Sequence, residues 1–141
     1  MRAVIQVADG ASCAVDGTVT GSFEGPGLVV LLGVTHDDGP DQVERIARKI
    51  AELRIMGVEE SALDLGAPIL LISQFTLYGD TRKGRRPSWS KAAPGPVAEP
   101  LVDAVGEALR ARGLRVEVGR FGADMKVTFT NDGPVTVLVE A

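Results

Sequence analysis

The chain has 141 residues, 15 Lys plus Arg against 19 Asp plus Glu, a net charge of −4, one His and one Cys, which is the length of one ordinary domain built around one core. With 45% hydrophobic and 24% charged residues it can bury enough surface to fold, and a single Cys13 beside a single histidine excludes an internal disulfide framework and a clustered zinc site. The acidic balance excludes whole-surface attraction to nucleic acid, although a local basic patch remains able to hold phosphates.

Residues 2–7 are β-prone, and residues 11–15 and 18–23 flank Asp16-Gly17, a dipeptide favoured in tight hairpins because both central residues need positive φ. The chain is therefore expected to open with a meander. Leu28-Val29-Val30-Leu31-Leu32-Gly33-Val34 is an unbroken apolar run, which predicts a central strand covered on both faces. After the turn-forming 36–40, Val43, Ile46, Ala47, Ile50 and Leu53 recur at three- and four-residue steps, the pattern of an amphipathic helix. Residues 57–66 form a weakly patterned connection. A second buried strand is read over 69–77, followed by a polar, Gly- and Pro-containing loop over 78–91. Residues 97–112 predict a second helix, with Leu101, Val105, Ala108 and Leu109 on one face and Gly113 as its terminating glycine. Strands are predicted over 114–119, 126–130 and 135–140. Runs of strands with two inserted helices give an α+β class: one domain over residues 1–141, with an antiparallel or mixed sheet and two main helices packed on it. There is no ~20-residue apolar run, and the first residues lack the h-region and cleavage site of a signal peptide, so a cytoplasmic protein without a membrane segment is expected.

No phosphate-binding loop, dinucleotide-binding glycine pattern, G-x-S-x-G elbow or paired-His metal motif is present, so no metal or cofactor is expected. His36 sits at a predicted strand-to-helix turn beside Asp37 and Asp38; it reads either as a general base or, more ordinarily, as a helix-entry or surface residue. Ser73-Gln74-Phe75-Thr76-Leu77 puts three polar side chains at the end of a buried strand, where they need partners or a ligand. One reading makes them the floor of a pocket, with backbone N–H groups able to hold a carbonyl or an oxyanion. The other is a strand emerging into solvent. Asn131-Asp132-Gly133-Pro134-Val135-Thr136 reads first as a plain turn, yet a Gly-Pro pair, whose X-Pro bond can be cis, can also present two carbonyls rigidly in one direction. Arg82, Lys83, Arg85 and Arg86 place four cations within five residues, with Trp89 and Lys91 just beyond; this is a phosphate-contact candidate or a solvated basic loop.

Met1-Arg2-Ala3-Val4-Ile5-Gln6, Ser73-Gln74-Phe75-Thr76-Leu77, Lys83-Gly84-Arg85-Arg86-Pro87-Ser88, Gly119-Arg120-Phe121-Gly122-Ala123-Asp124-Met125 and Asn131-Asp132-Gly133-Pro134-Val135-Thr136, in that order, resemble the D-aminoacyl-tRNA deacylase family over essentially the whole chain. The resemblance implies a homodimer with a barrel-like sheet that hydrolyses the ester of a D-amino acid, or of glycine mischarged on tRNA(Ala), to the terminal adenosine of tRNA without a metal. Its pockets would lie at the subunit interface, and aminoacyl-tRNA would be its partner. Ser73, Gln74, Phe75 and Thr76 would form the catalytic floor, with Phe121 and Met125 in the adenosine region. Gly133 and Pro134 would enter the other subunit's pocket as a cis pair and stand where an L side chain would project. The resemblance leaves water, assisted by the RNA 2′-hydroxyl, or Thr76 as the nucleophile; water is favoured because no partner base for Thr76 is visible. Two departures stand out: Val7 occupies a position where the family usually has arginine, and residues 57–66 are shorter than in many members, without the usual Gly-Lys-Met-Asn stretch. A relative that edits L-aminoacyl-tRNA through a trans Gly-Pro arrangement is the alternative within enzymes. A nonenzymatic nucleic-acid-binding module is the alternative outside them.

Overall fold

The computed structural model describes residues 1–141. Strands β1 (Arg2–Val15), β2 (Thr18–Gly33), β3 (Ile69–Ser73), β4 (Val116–Val118) and β5 (Lys126–Glu140) form one mixed sheet in the order β4-β3-β2-β1-β5. The β1 pairings with β2 and β5 are antiparallel, and β2-β3 and β3-β4 are parallel. Helices α1 (Pro40–Glu52) and α3 (Gly95–Ala111) cover one face, and a single turn of helix, α2 (Ala62–Leu65), interrupts the expected 57–66 connection. That turn forms because Ser61 Oγ caps the Asp64 N–H while the Asp64 carboxylate accepts from the Ser61 N–H, a local device that apolar periodicity does not reveal.

The meander is longer than its sequence pattern. Residues 2–7 and 11–15 join into β1, and 18–23 and 28–33 join into β2, with the pairing shifted between Asp9 and Ala11. Beyond that irregularity the hairpin curls back over the second face of the sheet. Ala8, Ala11, Cys13, Phe23, Val29, Leu70 and Ile72 make a small core there. The curl brings β2 to β4, where Arg115 Nη2 donates to the Ser22 carbonyl at 2.9 Å, and gives the sheet its barrel-like form. Gly21 is required at the closure, since a Cβ there would lie 2.8 Å from the Val118 carbonyl oxygen. The larger core sits between the sheet and the two long helices, with Val43, Ile46, Ala47, Ile50 and Ala51 of α1 and Ala98, Val105 and Leu109 of α3 facing inward.

Two strand expectations are corrected. The strand read over 69–77 ends at Ser73, and a 3₁₀ turn occupies Phe75–Tyr78. Its partner β2 ends at Gly33, the Gln74 N–H makes a last bond to the Leu32 carbonyl at 2.7 Å, and the chain then turns tightly over Gly33. A Cβ at Gly33 would stand 3.0 Å from the Gln74 carbonyl oxygen and 3.1 Å from Leu77 Cβ. The strands read over 126–130 and 135–140 are one strand, β5, with an outward bulge: Asn131 pairs with Ala8 and Thr136 with Gln6, leaving residues 132–135 opposite Val7 alone. The segment is thus neither a plain hairpin turn nor a regular strand. The Gly133–Pro134 bond within it is cis.

Candidate active site

Beside Leu32 and Val34 at the end of β2, three further chain segments converge on a cavity of about 500 Å³: the end of β3 with its following turn, the approach to α3, and the loop between β4 and β5. Ser73, Gln74 and Phe75 line it from the first, Trp89, Ala92, Ala93, Gly95 and Ala98 from the second, and Phe121, Asp124 and Met125 from the third. The walls are mostly apolar with few polar groups, the usual character of a site for a small organic ligand.

Each wall has a local cause. The 3₁₀ turn leaves the Phe75 and Thr76 N–H groups without a backbone or side-chain acceptor, since the first bonds of the turn run from the Leu77 N–H to the Gln74 carbonyl and from the Gly79 N–H to the Thr76 carbonyl. Gln74 Nε2 donates to Thr76 Oγ1 at 2.5 Å, which fixes both side chains beside the turn. Phe121 lies against the start of α3, its Cε1 3.6 Å from where a Cβ on Gly95 would stand. Met125 lies across Gly119, where a Cβ would meet its sulfur at 2.5 Å. The approach to α3 is strapped down from the other side of the chain: Thr35 Oγ1 donates to the Lys91 carbonyl at 2.6 Å, and the Ala93 N–H donates to the Val34 carbonyl at 2.9 Å.

His36 belongs to this strap. Its Nε2 lies 2.8 Å from the Ser90 carbonyl, and a carbonyl accepts only, so that nitrogen carries the proton. The ring holds the loop and is absent from the lining of the cavity.

Ser73, Gln74, Phe75, Phe121 and Met125 are brought together, with Thr76 tied to Gln74 at the rim. Gly133 and Pro134 are exposed and do not line the cavity of their own chain. They stand in the β5 bulge, whose base is drawn closed by Asn131. Its Nδ2 donates to the Val7 and Val135 carbonyls, both at 3.0 Å, and Thr136 Oγ1 accepts from Gln6 Nε2 at 3.1 Å. Val7 therefore takes part through its carbonyl, while its side chain is buried in the main core.

Arg82, Lys83, Arg85 and Arg86 lie together on an exposed loop outside the cavity. The loop is closed by paired backbone bonds between Asp80 and Ser88, at 2.8 and 2.9 Å. The four cations are not equivalent. Asp80 accepts from the Arg82 backbone N–H at 3.1 Å and from its guanidinium Nε at 2.9 Å and Nη2 at 2.5 Å. These bonds hold the Asp80 carboxyl well below the ordinary carboxylate range and push the Arg82 guanidinium up. Lys83, Arg85 and Arg86 have no acidic partner. Asp80, which holds Arg82, and the small residues Ala92, Ala93 and Gly95, which line the cavity, take positions that sequence patterning does not single out. The acid-x-Arg spacing of Asp80 and Arg82 inside a basic stretch is the one signal that could have marked the first of them.

The model of the family described as D-Tyr-tRNA(Tyr) deacylase matches residues 4–140. The chain is 66% identical over 141 residues to the D-aminoacyl-tRNA deacylase of Kineococcus radiotolerans, covering 100% of both chains. It is 61% identical over 140 residues to that of Thermobifida fusca, covering 99% of both. Among solved structures, it superposes with a TM-score of 0.91 and 37% identity on one described as c-Myc DNA Unwinding Element Binding Protein, over 100% of this chain and 99% of the other. A "probable eukaryotic D-amino acid tRNA deacylase" has the same fold, with a TM-score of 0.83 at 18% identity over 98% of this chain and 97% of the other.

Proposed function

Because the chain belongs to the D-Tyr-tRNA(Tyr) deacylase family, we propose that its cavity binds the aminoacylated 3′ end of tRNA and hydrolyses the ester of a D-amino acid or of glycine. Water adds to the ester carbonyl, the bond from that carbon to the ribose oxygen breaks, and the departing oxygen takes up the proton. The products are the free amino acid and tRNA. The observation that carries this reading is the unpaired pair of N–H groups of Phe75 and Thr76 at the rim of an otherwise apolar cavity. Two preorganised donors of that kind stabilise the oxyanion of the tetrahedral intermediate. An aminoacyl ester is already activated, so donors and a positioned water suffice.

Water is the nucleophile. Thr76 Oγ1 is occupied as the acceptor of the Gln74 amide, and no imidazole or carboxylate is bonded to it that could remove its proton. The 2′-hydroxyl of the terminal adenosine, packed against Phe121 and Met125, orients the water.

Chirality is read by exclusion, and the excluding element comes from a second copy of the chain. The outermost strand β5 has 15 residues and none of them is buried: Val127, Phe129, Val135, Val137 and Val139 pack against the two cores yet stay part-exposed, and Leu138 on the other face is 61% exposed. A long apolar edge strand of that kind calls for a cover. A second copy supplies it and carries its Gly133–Pro134 bulge to the neighbouring cavity. Main chain held there leaves no room for an L side chain, whereas a D side chain turns outward and glycine meets no obstacle. Lys83, Arg85 and Arg86 hold phosphates of the tRNA, and the enzyme works in the cytoplasm, where aminoacyl-tRNA is used. No helix is long and apolar enough to cross a membrane.

Purified protein incubated with matched D-, L- and glycyl-tRNA tests the assignment. Loss of the D and glycyl esters alone is the expected result. Loss of the L ester would make it an editor of L-aminoacyl-tRNA, and binding without turnover would make it a nonenzymatic binding module.

A further inference from the structure

Trp89 is the sole tryptophan of the chain. It is 43% exposed and packs edge-on against Phe75, itself 55% exposed, with ring centroids 5.3 Å apart and planes at 74°. Leaving two large rings uncovered sacrifices hydrophobic burial that neighbouring apolar residues achieve, so the pair marks a surface that is covered by something else.

The ring has a defined seat. Beneath it is Gly79, where a Cβ would fall 2.6 Å from Trp89 Cζ3, and the residue after it is held through the Ser90 carbonyl by His36. Trp89 thus lies over the 3₁₀ turn and lines the cavity, three residues beyond the last cation of the basic loop. Phe121 lies against Gly95 at the start of α3. Lys83, Arg85 and Arg86 are exposed on the loop that Asp80 and Ser88 close, and Trp89 directly follows its closing residue.

A rigid aromatic face at a pocket mouth, beside cations without acidic partners, is the combination that holds single-stranded nucleic acid. Bases stack on the ring and the backbone follows the charge. We propose that Trp89 is a stacking platform for the unpaired nucleobase that precedes the terminal adenosine, so that the site grips two nucleotides of a single-stranded RNA end. This rests on the reading of the cavity as the seat of the terminal adenosine. Stacking is indifferent to base identity, and the platform therefore contributes affinity and orientation without sequence preference.

The test uses the tryptophan as its own reporter. Full-length protein is titrated with the trinucleotide CCA, with adenosine 5′-monophosphate, and with a CCA analogue whose middle nucleotide is abasic, while Trp fluorescence and competition against labelled tRNA are followed. The expected result is strong quenching by CCA and little by the other two. Trp89→Leu should weaken CCA and tRNA binding about tenfold, and Trp89→Phe should recover most of the loss. In turnover of D-aminoacyl-tRNA, Trp89→Leu should raise KM with kcat nearly unchanged. Equal quenching by adenosine monophosphate, or by the abasic analogue, would overturn the proposal and make Trp89 part of the adenosine pocket or of nothing. So would unchanged binding by Trp89→Leu when circular dichroism shows it folded. Failure of the wild-type protein to cleave any aminoacyl ester would instead overturn the function, a result independent of the fluorescence.

Discussion

Asn131→Ala removes the clasp at the base of the β5 bulge, and its consequence can be worked from the structure. The amide donates to two carbonyls, those of Val7 and Val135, each at 3.0 Å, in a part-buried setting. The contact from Thr136 Oγ1 to Asn131 Oδ1, at 3.4 Å, is too long to weigh heavily. Each of the two good bonds is worth about 1 kcal/mol net, and losing the donor leaves two acceptors to find water, so the substitution should cost about 2 kcal/mol. With a urea m-value of about 2 kcal/mol per molar, the unfolding midpoint should fall by about 1 M at fixed protein concentration. The functional consequence is separate. Residues 132–135 are held out opposite the single residue Val7, and without the clasp they can relax towards the strand and vacate the space that rejects an L side chain. Matched D- and L-aminoacyl-tRNA should show cleavage of the L ester rising while that of the D ester changes little. A midpoint shift under 0.2 M would refute the energetic argument. A full shift with unaltered discrimination would refute the assignment of the bulge as the chiral filter.

Gly133→Ala should act on the same element by another route. At φ +118° the new Cβ would stand 2.7 Å from Val135 Cγ2 and 3.0 Å from the Val135 nitrogen, so it should lower the urea midpoint and relax discrimination. A variant as stable and as selective as wild type would show that the bulge absorbs a side chain without moving. On the basic loop, replacing Lys83, Arg85 and Arg86 by Ala should flatten the salt dependence of tRNA binding by about two units of log–log slope, whereas Arg82→Ala should leave it nearly intact because Asp80 already matches that charge. The reverse ranking would remove the three unpaired cations from the interface. Asp80 has a folded pKa below its unfolded value. Its stabilising contact is therefore fully present above the ordinary carboxylate pKa of about 3.9 and is lost as pH falls from there through the lowered folded value. Carboxyl NMR titration should show Asp80 ionised below the range of an unstructured aspartate, and back near that range in Arg82→Ala. An ordinary midpoint in the wild-type protein would contradict the bidentate pairing.

Much of the scaffold is legible from residue order because it follows from local periodicity. Val43, Ile46, Ala47 and Ile50 announce α1 and all face the core, and the apolar run from Leu28 lies in the middle strand of the sheet. What escapes the sequence depends on long-range contacts. The polar residues of Ser73-Gln74-Phe75-Thr76-Leu77 mark the approach of a strand end but do not fix it at Ser73; the break comes from the turn passing tightly over Gly33, forty residues earlier in the chain. The outward bulge at Gly133 is likewise a matter of register against Gln6 and Ala8, which only the pairing of β1 with β5 defines. By residue type alone, Val7 is only a departure from the arginine usual in the family. The structure shows its carbonyl held by Asn131, which sequence reasoning had no means to assign.

The claim on which the account rests is that the bulge of one protomer guards the cavity of the other, and mixed dimers test it directly. Ala92→Trp fills a cavity while leaving its own bulge intact, and Gly133→Val spoils a bulge while leaving its own cavity open. Each homodimer should fail, the first by not cleaving D-aminoacyl-tRNA and the second by not discriminating D from L. Dimers formed from one chain of each kind should regain D-selective cleavage at one site of the two. Mixed dimers that stay as unselective as the Gly133→Val homodimer would contradict the account.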